Sequence, residues 1–129
     1  MAKELQESYE SNAIFDRRAA LSHVEGDEEL LEELARIFLR EFPGMMQKLR
    51  EAVSRKDPRA IAVEAHTLKG AIANFGSAGA VKEALAVEQM GREENLSGLH
   101  EAFARLESKI ALLKSALARL AKEPVFSEA

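Results

Sequence analysis

At 129 residues, 47% apolar and 31% charged, the chain is sized for one globular domain with its own core. It has no cysteine, which excludes a disulfide framework, a thiolate zinc site and a cysteine nucleophile. A formal net charge of −4 argues against the basic face of a compact nucleic-acid binder.

No apolar run approaches the roughly 18 residues of a membrane span. Met1-Ala2-Lys3-Glu4 opens a polar stretch without the apolar core of a signal peptide. The expected setting is therefore cytoplasmic, with no membrane contact. Alanine, leucine, glutamate, lysine and arginine dominate, and three prolines and seven glycines punctuate the chain, so helix is expected nearly everywhere. Residues 1–13 read as a polar tail and 123–129 as a C-terminal tail, leaving 14–122 for the folded domain.

Asp16 sits well as the cap of a short helix running to about Val24. Glu25-Gly26-Asp27 reads as a turn, with Asp27 capping a helix that carries Leu30, Leu31, Leu34, Ile37, Phe38 and Phe42 at helical spacing. Pro43-Gly44 interrupts it before Met45, Met46, Leu49 and Val53 resume the pattern. Proline removes a backbone donor and crowds the previous turn, so the segment is either one kinked helix or two in tandem.

Asp57-Pro58 is a strong start signal for the next helix. Ile61, Ala65, Leu68, Ile72 and Phe75 form its apolar stripe, and Gly76-Ser77 ends it. A further helix is expected from about Ala78 to Met90, stopping at Gly91, with apolar positions Val81, Ala84, Leu85 and Val87. After Asn95 to Gly98, the last helix alternates steps of four and three through Leu99, Phe103, Leu106, Ile110, Leu113, Leu117 and Leu120. That spacing fits a coiled-coil seam or one wall of a bundle. The fold expected is all-α, an antiparallel four-helix bundle with a short N-terminal lead-in helix.

Three histidines carry the candidate chemistry. His23 falls near the end of the first short helix, where a cation-capable side chain favours the dipole, and reads as structural. His100 falls in the first turn of the last helix and reads as a surface residue. His66 differs. Stepping about 100° per residue puts Leu68, Ile72, Phe75, Ile61 and Ala65 on the far side of its helix. The near side holds Arg59, Ala62, His66, Gly70 and Ala73, so the imidazole faces solvent. Glu64 falls inside the apolar arc, at the edge of the helix or against a partner.

Helical side chains lean toward the N-terminus, so position i+4 normally covers position i. Gly70 at that position leaves the His66 ring open to a large partner, although glycine in mid-helix costs about 1 kcal/mol relative to alanine. Lys69 at i+3 puts an ammonium within reach of an anion on the ring. The residues three before the histidines are Ala20, Val63 and Ser97, so the Glu-x-x-His pattern of di-iron bundles is absent. No HExxH, P-loop or G-x-G-x-x-G motif occurs. No third group or oxyanion hole for a serine hydrolase is visible. The pattern left is nucleophilic catalysis by the imidazole itself, with a cation beside it for an anionic transferred group.

The segment Ala65-His66-Thr67-Leu68-Lys69-Gly70-Ala71-Ile72-Ala73-Asn74-Phe75-Gly76 resembles the signature of histidine-containing phosphotransfer (HPt) domains, His-x-Leu-Lys-Gly followed by small residues, a hydrophobic residue and glycine. Phe15-Asp16 through Leu31 is similar to the lead-in of HPt domains from hybrid sensor kinases, and Glu83 to Arg92 to the helix beside the histidine helix. Ile72 is larger than the family's usual residue there. The resemblance implies a four-helix bundle acting as a stoichiometric phosphocarrier of a two-component phosphorelay rather than an enzyme. It implies His66 as phosphoacceptor, Lys69 near the phosphoryl group, Gly70 clearing the approach and Glu88 close to the imidazole, with Arg92 at the rim. Read from its own neighbourhood, Glu88 is equally an ion-pair partner of Lys82, Arg92 or another neighbour.

The partners implied are response-regulator receiver domains, and a histidine kinase as a further candidate, with no cofactor of the chain's own and Mg²⁺ supplied by the receiver. Ala62, Ala73 and exposed parts of the first helix and of Leu30 to Phe38 are the docking candidates. The chain is expected to be a monomer. Two other readings are the phosphorylated domain of a chemotaxis-type kinase, and a helical adaptor dimerising through Leu99 to Leu120.

Overall fold

The computed structural model describes residues 14–122; the two expected tails lie outside them. Five helices follow in order: α1 (Arg17–His23), α2 (Glu28–Arg55), α3 (Pro58–Ala73), α4 (Ala78–Arg92) and α5 (Leu99–Leu120). Among the described residues there is no strand. α2 packs on α3, α3 on α4, α4 on α5, and α5 returns to α2, so four helices close around one core with α1 leading in.

Three aspartates start three helices as the sequence predicts. Asp16, Asp27 and Asp57 each accept a hydrogen bond from the backbone N–H three residues on, at Ala19, Leu30 and Ala60, over 3.1, 3.0 and 3.2 Å. Each bond satisfies one of the unpaired N–H groups of a first helical turn.

α2 settles the choice left open at Pro43. It is one 28-residue helix that runs through Pro43-Gly44. Phe42 and Met46 are buried on either side of the exposed proline and hold both halves against the core. Burial of that flank outweighs the single backbone bond that proline deletes. Phe38 stacks on Phe42 with centroids 5.6 Å apart and meets Phe75 edge-on at 5.3 Å, which ties α2 to the end of α3.

α3 ends at Ala73, and Phe75 enters the core from the loop beyond it. Gly76 sits there at φ +61°, and a Cβ at that position would stand 2.9 Å from the Cβ of Asp16. The N–H of Asp16 donates to the carbonyl of Phe75 at 3.2 Å, so α1 is fastened to the α3–α4 loop.

α4 corrects the sequence reading twice. It continues through Gly91 to Arg92, and its buried stripe is Ala80, Ala84, Val87, Glu88 and Gly91. Leu85 is exposed and Val81 only half-buried. Glycine mimics a stop signal, but here helix packing requires the absence of a side chain (below). In α5, Leu99 through Leu117 are buried as predicted, with Leu120 half-buried. The stripe faces α4 and α2 within the same chain, where it forms a wall of the bundle.

Candidate functional site

α3 carries its core residues Ile61, Ala65, Leu68 and Ile72 on one side, which turns His66 outward from the middle of the helix. Its side chain is 61% exposed. His23 lies exposed at the end of α1, and His100 lies exposed at the start of α5, the surface position expected for it. Glu64 lies half-buried beside the stripe, at its edge.

Across from His66, α4 presents Glu88, whose side chain is 3% exposed. A buried carboxylate is costly unless cations or donors surround it. Three do. Nδ1 of His66 lies 3.3 Å from Glu88 Oε2, Nη2 of Arg92 lies 2.6 Å from the same oxygen, and Nζ of Lys69 lies 2.7 Å from Oε1. The Lys69 contact is short, but its direction misses the geometry of a hydrogen bond, so charge holds it first. The two sequence readings of Glu88, partner of the imidazole and ion-pair residue, therefore hold together in one cluster, while Lys82 takes no part among the contacts to Glu88.

Burial is the largest influence on the Glu88 carboxyl and pushes its pKa up. The ammonium of Lys69, the charge of Arg92 and the bond to His66 together outweigh it, and the pKa is held below the ordinary carboxylate value. Glu88 is thus ionised at neutral pH. An ionised carboxylate only accepts hydrogen bonds, so the tautomer that satisfies it carries the proton on Nδ1 of His66. Nε2 is then left with its lone pair, on the exposed edge of the ring. Lys69 and Arg92 bring two positive charges against one negative, so the cluster is electropositive.

The surface beside the ring is a shallow pocket lined by Arg59, Ala62, Val63, His66, Thr67 and Arg92. Gly70 is exposed, and a Cβ built on it would meet nothing within 4 Å. Nothing inside the fold calls for glycine there. Among the described residues no group of three or more His, Cys, Asp or Glu side chains converges on a point that would hold a metal ion. No helix of the described residues is long and apolar enough to cross a membrane.

Sequence reasoning missed two features. One is the burial of Glu88, which the helical period of Ala80, Ala84 and Val87 contained, had Glu88 been allowed on that stripe. The other is Gly91, on the same face and read as a stop.

A family model described as Hpt domain matches residues 33–123, which takes in all of α3, α4 and α5 and most of α2. The chain belongs to the Hpt domain family. A solved structure, the HPt domain from an Hpt sensor hybrid histidine kinase from Shewanella, matches with a TM-score of 0.76 and 16% identity. The match covers 86% of this chain and 96% of that one, and it shows a shared fold. No curated protein matches. The family assigns the chain a role in histidine phosphotransfer within phosphorelays, in which Hpt domains are carriers that meet receiver domains and kinases.

The depressed Glu88 pKa carries a prediction. A carboxyl with a lowered folded pKa contributes stability above its unfolded pKa of about 4.3 and loses it as pH falls through the folded value. Urea titrations of wild type and Glu88→Gln at a series of pH values should show a stability gap that is full at neutral pH and narrows below about pH 4.3. A gap that is constant from pH 7 down to pH 3 would contradict the charge cluster.

Proposed function

We propose that His66 is the phosphoacceptor, taking a phosphoryl group from a receiver-domain aspartate and passing it to another. The observation that carries this is the exposed ring whose Nδ1 rests on the buried Glu88 carboxylate. The lone pair of Nε2 attacks phosphorus in line. The P–N bond forms as the P–O bond to aspartate breaks, and the aspartate leaves as carboxylate with the electron pair. The Nδ1 proton stays on the ring, which becomes cationic, and Glu88 offsets that charge. Transfer to the next receiver reverses each step. The excess positive charge of Lys69 and Arg92 favours the phosphoryl oxygens.

Around the ring, Val63, Thr67, Gly70 and Ala73 are exposed and Ala62 half-exposed, leaving small or apolar ground for a partner. Along α2 an apolar groove lined by Leu34, Ile37, Met45, Ala71 and Asn74, among others, continues that ground, and Leu30 and Ile37 are exposed beside it. A receiver docking across both would bring its aspartate and its Mg²⁺ to Nε2, so the chain supplies nucleophile and local charge and the receiver supplies the metal. With the α5 stripe turned inward, the chain acts as a monomer, in the cytoplasm where receivers work.

The test is intact mass after incubation with a phosphorylated receiver and Mg²⁺. Wild type should gain one acid-labile phosphoryl group and His66→Gln none; equal gain in both would place the chemistry elsewhere. Gly70→Ala separates partner approach from folding. It should unfold at the same or higher denaturant concentration, by up to about 1 kcal/mol, yet accept phosphoryl more slowly. Transfer at the wild-type rate would show that the open space over the ring is not used.

A further inference from the structure

Glu88 reaches His66 only because α3 and α4 approach closely, and one residue permits that approach. A Cβ placed on Gly91 would stand 2.6 Å from the carbonyl oxygen of Pro58, 2.7 Å from the nitrogen of Ala62 and 3.1 Å from the Ala62 Cα. All three atoms are α3 backbone, so no rotamer change relieves the overlap, which is roughly 1 Å short of ordinary contact. Gly91 lies one turn from Glu88 on α4, and Ala62 lies one turn from His66 on α3. Ala84 is fully buried on the same stripe, so small side chains flank Glu88 on either side. The contact that depends on this spacing is already long, at 3.3 Å from His66 Nδ1 to Glu88 Oε2.

We propose that Gly91 is a positioning residue for phosphotransfer: its missing side chain sets the α3–α4 separation that lets Glu88 fix the proton on Nδ1 of His66. The inference rests on the reading of His66 as phosphoacceptor and acts through Glu88 alone. Separating the helices withdraws Glu88 from His66 and Lys69, which are on α3. It leaves the Arg92–Glu88 pair intact, because both residues belong to α4. A neutral imidazole released from the carboxylate reverts to the tautomer mixture of a ring in water, in which most rings carry the proton on Nε2 and have no lone pair there to attack with.

The experiment is ¹⁵N NMR of the His66 ring at a pH where it is neutral, together with phosphoryl transfer from a phosphorylated receiver. In wild type Nδ1 should carry the proton. In Gly91→Ala the proton should move largely to Nε2, and transfer should slow severalfold, in step with the lost fraction of rings that carry the proton on Nδ1. Gly44→Ala, at an exposed glycine with open space around it, should change neither. Glu88→Asp at native Gly91 retracts the carboxylate by one methylene without steric conflict and should reproduce the tautomer change even if Gly91→Ala does not fold. A folded Gly91→Ala with the wild-type tautomer, or Glu88→Asp with the wild-type tautomer, overturns the proposal. A tautomer change without slower transfer also overturns it. Wild type that carries the Nδ1 proton but accepts no phosphoryl group overturns the reading of His66 instead and leaves the positioning of its proton by Gly91 standing.

Discussion

A carboxylate buried to 2% exposure is the constraint around which the site is built. Glu88 survives in the α3–α4 interface because Lys69, Arg92 and His66 surround it. Each of those partners is in turn held by it. Lys69 and His66 are brought together from α3, Arg92 is held from its own helix, and the imidazole is turned so that one nitrogen faces the protein and the other faces outward. An exposed histidine would otherwise sample both tautomers and several ring orientations. The cost of burying one charge is thereby offset by an ordered imidazole beside net positive charge, which is what the proposed phosphoacceptor role requires.

The bundle exists to hold that arrangement still. Aspartate caps fix where α1, α2 and α3 begin, and α1 bolts the α3–α4 loop through Asp16 and Phe75. Small residues on α4 let it approach α3 closely enough for a carboxylate to span the gap. On the opposite side of α3, the leucines and isoleucines of the core are buried, so the strip around His66 is the face of α3 turned outward. Gly70 is the one residue of that strip whose lack of a side chain serves nothing inside the fold.

Much of this was legible in the sequence because it is local. The caps, the apolar stripes, the outward direction of His66 and its relation to Lys69 and Gly70 all follow from helical periodicity within a few residues. What escaped lies between helices. Glu88 is 22 residues from His66, and no periodicity within α3 reports on it; only the family resemblance pointed there. Gly91 carries the local signature of a helix stop, yet it stays helical because the α3 backbone occupies the space its side chain would need. Pro43 misleads in the same way. Its local penalty is real, but Phe42 and Met46 bury on both sides and the helix continues. In each case a tertiary contact overrode a local propensity.

The account turns on which nitrogen of His66 is presented to the partner. The most direct measurement is NMR of the phosphorylated, ¹⁵N-labelled protein, following coupling between phosphorus and the ring nitrogens. Phosphorus coupled to Nε2 of His66 is the result expected, because Nδ1 faces the Glu88 carboxylate. Phosphorus on Nδ1 would contradict the account, since that nitrogen would then have to leave the contact on which the site is built.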